Sequence, residues 1–265
     1  MSRILNVVLT HTPPTEIVRL AAWWAHVAPE DSLLIVHGGP EGDFPAIAVP
    51  NKVHVSSRRL QTDDHPRERQ SYTEVFAAAS AWMKGRDFSH VYFAEFDHLP
   101  LVADLGQRLL ARLEQEKADV LGHHVRRVDG TGLHHYLYHC GDPRFHPHWA
   151  RISRRADKRA VLAMVGTGSF WTREAFDAVA AEAEPFPIYL ELYLPTLAHH
   201  LGFRVRSLRE EEHHVSNLGD FRDRIAEAQR AGAWTIHPVK GTQGLRWPQG
   251  AAEVRAQPRT ALNVG

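Results

Sequence analysis

The stretch His90-Val91-Tyr92-Phe93-Ala94-Glu95-Phe96-Asp97-His98-Leu99-Pro100 decides how this chain is read. An apolar run, Val91–Ala94, stops at two acids separated by one aromatic residue. Residues i and i+2 of a strand point to the same face. Glu95 and Asp97 are therefore expected to converge at the carboxyl end of a buried strand, where open α/β sheets bind their ligands. Two convergent carboxylates in a crevice suit a hard divalent cation shared with substrate phosphates. The plainer alternative is a strand that ends in two solvated acids before a proline turn.

The flanking sequence supplies a sheet for that strand. Ile4–Leu9, apolar but for Asn6, and Leu33–Val36, opened by Ser32, are runs of the type buried in parallel sheets. Between them, Thr15 is expected to cap a helix with Ile17, Val18, Leu20, Ala21 and Trp24 inward. Residues 52–56 read as a third strand, which completes the βαββ opening of a nucleotide-binding α/β layer. Asp63-Asp64-His65-Pro66 reads as the start of a helix running to Trp82, with Pro66 in its first turn. Beyond the acids, Val102, Leu105, Leu109 and Leu113 mark an amphipathic helix, and residues 118–122 a further strand. Residues 123–159, rich in His, Arg, Pro and Gly, are expected to form long loops with a short hairpin around Leu133–Tyr138.

Order returns at Val161–Val165 and the glycine turn Gly166-Thr167-Gly168-Ser169, with Thr172 capping a helix. Pro185-Phe186-Pro187 breaks it, and a second helix opens at Ile188–Glu191 and stops at Gly202. Residues 203–208 read as a strand. Ser216 or Asn217 is expected to cap a helix through Phe221, Ile225 and Ala228, followed by Trp234–Gly241. The expected fold is α/β, a mostly parallel central sheet with helices on both faces. It forms a single domain over residues 1–244 with an extended tail over 245–265.

Composition narrows the functional classes. Lysine plus arginine (31) equals aspartate plus glutamate (31) in 265 residues, so no global field favours nucleic acid or an acidic membrane. A single cysteine, Cys140, fits a reducing compartment. The N-terminal apolar run is too short for a leader core or a membrane span, so a soluble cytoplasmic protein is expected. The 19 histidines include four adjacent pairs, none with zinc-motif spacing.

Four features stand in order: Glu95-Phe96-Asp97, Gly166-Thr167-Gly168-Ser169, the helix-opening Glu191, and His237-Pro238-Val239-Lys240. This order resembles the GT-A class of glycosyltransferases, whose domain carries a metal-binding D-x-D on a strand end, a glycine loop, an acid (often written x-E-D) at a helix start, and a late histidine. Two positions depart from that pattern. Glu95 stands where the first Asp would be, and Leu190-Glu191-Leu192 keeps only the glutamate of x-E-D.

The resemblance implies transfer of a sugar from a nucleotide-sugar donor to a hydroxyl acceptor, whether sugar, lipid-linked or small molecule. It makes Asp97 and His237 ligands of Mn2+ or Mg2+, and Glu191 the base that takes the acceptor proton. Gly166, Thr167, Gly168 and Ser169 would lie near the acceptor. Glu95 would touch the donor, and Lys240 would neutralise its diphosphate. A lipid-linked acceptor would place the protein at the inner membrane surface. The crevice rule adds Thr10, His11 and His37, at the ends of the first two strands, to the donor pocket. Arg67 joins them because guanidinium suits bidentate phosphate contacts. Each residue has a plainer role: turn cap for Asp97, loop histidine for His237, helix-terminus acid for Glu191, solvated side chain for Arg67 and Lys240.

Three other functions use the same residues. A nucleotidyltransferase would share the sheet, although the first loop, Thr10-His11-Thr12-Pro13-Pro14, lacks the glycine-rich basic grip on a triphosphate. A glycosidase would use Glu95 and Asp97 as its acid pair. A non-catalytic sugar- or nucleotide-binding domain would keep the fold without the chemistry.

Overall fold

The computed structural model describes residues 3–29, 31–57, 59–62, 71–209, 213–241 and 243–244. The strands are β1 Ile4–Thr10, β2 Ser32–His37, β3 Lys52–His54, β4 His90–Glu95, β5 Leu99–Pro100, β6 Val120–Gly122, β7 Arg126–Arg127, β8 Leu162–Ala163, β9 Ser169–Thr172, β10 Val205–Ser207 and β11 Thr235–Ile236. The helices are α1 Pro14–Val27, α2 Thr73–Met83, α3 Leu105–Gln115, α4 His134–Gly141, α5 Phe145–Ile152, α6 Arg173–Glu182, α7 Leu190–His200 and α8 Ile225–Arg230.

Seven of the described strands form the central sheet in the order β3-β2-β1-β4-β9-β6-β10. All neighbours are parallel except β9, which runs antiparallel to both β4 and β6. The strand pleat divides the apolar runs between two cores. Leu5, Val7 and Leu9 of β1 pack with Phe76 of α2, Phe176 of α6 and Leu194 of α7. Ile4 and Val8 pack with Trp24 of α1, Leu109 of α3 and Ala228 of α8. Burial on both faces is why these strands carry continuous rather than alternating apolar residues. The expected sheet, mostly parallel with helices on each face, is the one observed.

Several local expectations differ. α1 starts at Pro14 instead of being capped by Thr15, since proline presets the first-turn φ and gives up an N–H that has no intrahelical acceptor there. α2 begins at Thr73, and the expected start at Asp63–Pro66 lies outside the described residues, as does the tail over 245–265. Leu133–Tyr138 is not a hairpin: α4 covers most of it, and α5 follows. Histidine and arginine mask a helical spacing here, for Phe145, His148 and Trp149 at i, i+3 and i+4 are all buried. Trp149 packs 5.3 Å from Tyr193 and stacks on His200, which anchors α5 to α7. Ser216 closes a turn by accepting from Leu218 N, and α8 begins only at Ile225. Thr172 does cap α6, accepting from Ala175 N at 3.2 Å.

Among the described residues, no helix is long and apolar enough to cross a membrane. A C-terminal strap completes the frame. β11 pairs antiparallel with β5, and Val239 N donates to Asp97 O at 2.8 Å. Trp23 of α1 ties the same segment down through its indole N–H to Pro100 O. This strap carries the late histidine and lysine onto the end of β4.

Candidate functional site

The strand ends form one edge. Thr10 is in register with His37, His37 with His54, and Leu9 with Glu95. β4 stops at Glu95, and His98 N donates to Glu95 O at 3.0 Å, so Phe96 and Asp97 lie in a turn. The two acids therefore meet through turn geometry and not through the strand pleat expected from the sequence. The strap adds His237. Ligand atoms of Glu95, Asp97 and His237 lie within 4.8 Å of one another.

Asp97 is only 4% exposed and holds two basic neighbours. Oδ1 lies 3.3 Å from His237 Nε2, and Oδ2 accepts from Lys240 Nζ at 3.2 Å. The first is an ion-pair distance short of ordinary hydrogen-bond geometry, and Asp97 Oδ1 has no other polar partner among the described residues. Burial alone would raise the Asp97 carboxyl, but His237 and Lys240 outweigh it and hold the group below its usual range. A buried carboxylate oxygen with no hydrogen bond, beside a second carboxylate and an imidazole, fits a hard divalent cation. Such a cation takes one or two protein carboxylates and completes its shell with phosphate and water. The imidazole shifts the preference from Mg2+ toward Mn2+.

A cavity of about 680 Å3 opens on this edge. Glu95, Phe96, Asp97 and Lys240 line it, with His11, Pro40, Tyr72 and the segment Leu60-Gln61-Thr62. Its size suits a nucleotide-scale ligand. His11 meets Phe96 edge to face at 4.9 Å, so the aromatic residue between the acids forms part of the wall. Phe96, Tyr72 and residues 60–62 were not singled out from the sequence. Phe96 was identifiable from its place between two acids, whereas residues 60–62 reach the site only by folding back on Gly38 and Gly39.

Two of the expected donor residues lie beneath the cavity instead of lining it. Thr10 is fully buried, and its hydroxyl bonds to Thr12 Oγ1 and accepts from Thr12 N, closing the first loop. His37 is fully buried against Pro40 O and stacks on Phe44. It supports Gly39, where an added Cβ would come within 2.8 Å of the imidazole. Arg67 lies outside the described residues.

The glycine turn docks on the same edge. Thr167 Oγ1 accepts from Glu95 N at 2.7 Å. Gly168 has φ +72°, and an added Cβ there would stand 2.2 Å from His98 Cε1 and 2.8 Å from His123 Nε2. Ser169 is buried in β9 and accepts from Trp171 Nε1. Gly166 faces the acid at the start of α7: an added Cβ would sit 3.2 Å from Glu191 Cδ. The structure thus brings Glu95, Asp97, Lys240 and His11 to one cavity, with His237 set against Asp97. Glu191 flanks Gly166 outside that lining.

A histidine stack, invisible in the local sequence, packs against the turn. His98 and His123 are fully buried, with ring centroids 5.6 Å apart, and His98 stacks on His237 at 5.6 Å and 21°. His98 Nε2 meets Tyr92 Oη at 3.0 Å. Burial, then neighbouring imidazoles, lowers both rings, His98 well below the usual value and His123 to about 3. Both are neutral at physiological pH, so the stack supports His237 without adding charge.

No protein-family model and no curated protein matches the sequence. Among solved structures, the chain is similar to the bifunctional IspDF from Campylobacter jejuni, with 11% identity, coverage of 78% of this chain and 50% of that one, and a TM-score of 0.44. It is similar to the mannosyltransferase PcManGT from Pyrobaculum calidifontis, in complex with GDP-Man and Mn2+, with 10% identity, coverage of 78% and 55%, and a TM-score of 0.44. It is similar also to a CMP:2-keto-3-deoxy-manno-octonic acid synthetase complexed with CTP, with 11% identity, coverage of 78% and 90%, and a TM-score of 0.41. The chain spans about half the length of the first two.

Proposed function

We propose that the chain is a metal-assisted glycosyltransferase, moving a sugar from a nucleoside-diphosphate donor to a hydroxyl acceptor. One observation carries this reading: a cavity of about 680 Å3 whose lining includes Glu95, Asp97 and Lys240, with His237 completing a three-residue ligand set. Glu95, Asp97 and His237 would hold Mn2+ or Mg2+, which when bound neutralises charge on a departing diphosphate. The Lys240 ammonium adds a point charge for the same oxygens. Phe96 and His11, with residues 60–62, offer apolar and edge-on surface to a nucleoside. Glu191, beside Gly166, takes the proton from the acceptor hydroxyl as it attacks. Gly166 has no side chain, so an acceptor can approach that carboxylate closely.

Thermal unfolding with uridine, guanosine, cytidine and adenosine diphosphates, with and without Mn2+, tests the site. One diphosphate should stabilise the protein mainly when Mn2+ is present, by about 2.7 kcal/mol at a hundredfold excess over Kd. Asp97→Asn should remove the metal-dependent part and leave the fold intact. An unchanged metal-dependent shift in that variant would sink the assignment. Assay of the matching nucleotide sugars should release nucleoside diphosphate. Pyrophosphate release from a nucleoside triphosphate would instead establish nucleotidyl transfer on the same carboxylates.

A further inference from the structure

We infer that Lys240 is a tethered competitor for the cation site, exchanging its hold on Asp97 for the diphosphate when a divalent cation binds. The inference rests on the reading of Asp97 as a cation ligand. Asp97 is nearly sealed from solvent, its side chain 5% exposed, while the Lys240 side chain that meets its Oδ2 is 57% exposed. One partner of this ion pair is therefore fixed and the other is free to swing.

The Lys240 backbone is anchored independently. Its N–H donates to Asp220 Oδ1 at 3.0 Å, its carbonyl accepts from the Arg222 guanidinium, and the preceding Val239 N donates to Asp97 O. The ammonium can leave Asp97 without the strap leaving β5, and it stays beside the cavity that it lines.

Electrostatics supplies the coupling. A buried carboxylate without a cation needs a counter-charge, and Lys240 provides it. Asp97 Oδ1, which has no hydrogen bond of ordinary geometry among the described residues and faces His237 at 3.3 Å, is the oxygen left to share with a metal. A divalent cation on Oδ1 with an ammonium on Oδ2 sets two positive groups a few ångströms apart in a partly desolvated site, where they repel strongly. The metal therefore displaces the ammonium, and an incoming diphosphate gives the released ammonium a new anion. Removing Lys240 should tighten metal binding alone and weaken anion binding once metal is present. Because coupling free energies are reciprocal, the cooperativity between metal and anion should fall by the same factor viewed from either ligand.

The test follows free Mn2+ by electron paramagnetic resonance on the full chain, using wild type, Lys240→Met, Lys240→Arg and Asp97→Asn, first with Mn2+ alone and then with inorganic pyrophosphate. Without pyrophosphate, Lys240→Met should bind Mn2+ about tenfold more tightly than wild type, while Lys240→Arg, which keeps the charge, stays near wild type. With saturating Mn2+, Lys240→Met should bind pyrophosphate about tenfold more weakly. Equal or weaker Mn2+ binding by Lys240→Met, in a protein whose Mn2+ binding is lost in Asp97→Asn, overturns the exchange and leaves the cation site standing. Mn2+ binding that survives Asp97→Asn, or its absence from wild type and Lys240→Met alike, overturns both.

Discussion

The two acidic regions of this molecule are built differently. At the edge of β4, two carboxylates, an imidazole and an ammonium converge from two chain segments, with Asp97 and Lys240 143 residues apart, and backbone pairing of β5 with β11 holds the segments together. At the start of α7 a single carboxylate, Glu191, rests against Gly166; Tyr189, two residues earlier, lies 4.4 Å from the His135 ring of α4. The first region gathers charge densely around the buried Asp97, the arrangement that the proposed diphosphate and cation call for. The second has one proton acceptor and adaptable surface. On the proposed reading, a donor with invariant phosphate chemistry calls for the rigid first region, and an acceptor for the shape that loops on the same sheet can vary.

Glu191→Gln separates the two regions most sharply. Gln keeps the volume and the contact with Gly166 but cannot accept a proton. Turnover should fall by about 10²- to 10⁴-fold, the usual contribution of a general base. The metal-dependent shift with nucleoside diphosphate should remain at its wild-type size, the reverse of the pattern expected for Asp97→Asn. Measuring kcat beside thermal unfolding decides it: normal turnover would remove Glu191 as the base, and a lost shift would show that the two regions are one site.

This contrast also explains what could be read from the sequence. The sheet was legible because burial on both faces writes itself as runs such as Ile4–Leu9 and Val91–Ala94. The Glu95/Asp97 pair was legible because an acid at the end of such a run has nowhere to go but the edge. The mechanism of their convergence was not, since a turn closed by His98 N and a strand pleat leave the same local pattern. α5 was hidden because its apolar face, Phe145, Trp149 and Ile152, is broken up by His, Pro and Arg. The burial of Thr10 and His37 was hidden because both end strands as polar residues. Only the loop that folds over them, closed by Thr12 and Pro40, takes them out of the cavity. The histidine stack joins residues 98, 123 and 237 and has no local signature.

The glycine turn touches both regions through different residues, and substitution tells them apart. Gly168→Ala puts a Cβ into the left-handed region and against two buried imidazoles. The backbone cost of about 1–2 kcal/mol and an overpacking cost of about 1–3 kcal/mol together predict destabilisation of several kcal/mol in urea unfolding. Mn2+ binding should weaken as well, because His98 stacks on His237. Gly166→Ala has no positive φ to strain and meets only the Glu191 side chain at 3.2 Å. It should cost little stability and lower turnover instead. Equal destabilisation by the two substitutions would break the distinction between a turn packed on the histidine stack at one end and facing Glu191 at the other.

The smallest effect lies in the pH dependence of stability, followed at one of the several histidines that burial lowers. In the unfolded chain a histidine takes up its proton near pH 6.5, whereas folded His123, buried and beside His98, His124 and His237, does so only near 3. Below pH 6.5 the unfolded state binds a proton that the folded state refuses, so stability falls as pH falls, by up to about 1.4 kcal/mol per pH unit for that one proton. The contribution is fully present above pH 6.5 and drains away down to about 3. His98 acts in the same direction, so the slope in wild type is steeper than one proton. His123→Phe keeps a flat ring and removes the titrating nitrogens, whose one backbone partner is Leu208, at less than ordinary hydrogen-bond geometry. Urea unfolding of this variant between pH 4.5 and 7 should show a slope shallower by one proton, with stability at pH 7 close to wild type. An unchanged slope would mean that His123 gains its proton as easily in the fold as out of it, and that the imidazole under Gly168 is wetter than the stack described here.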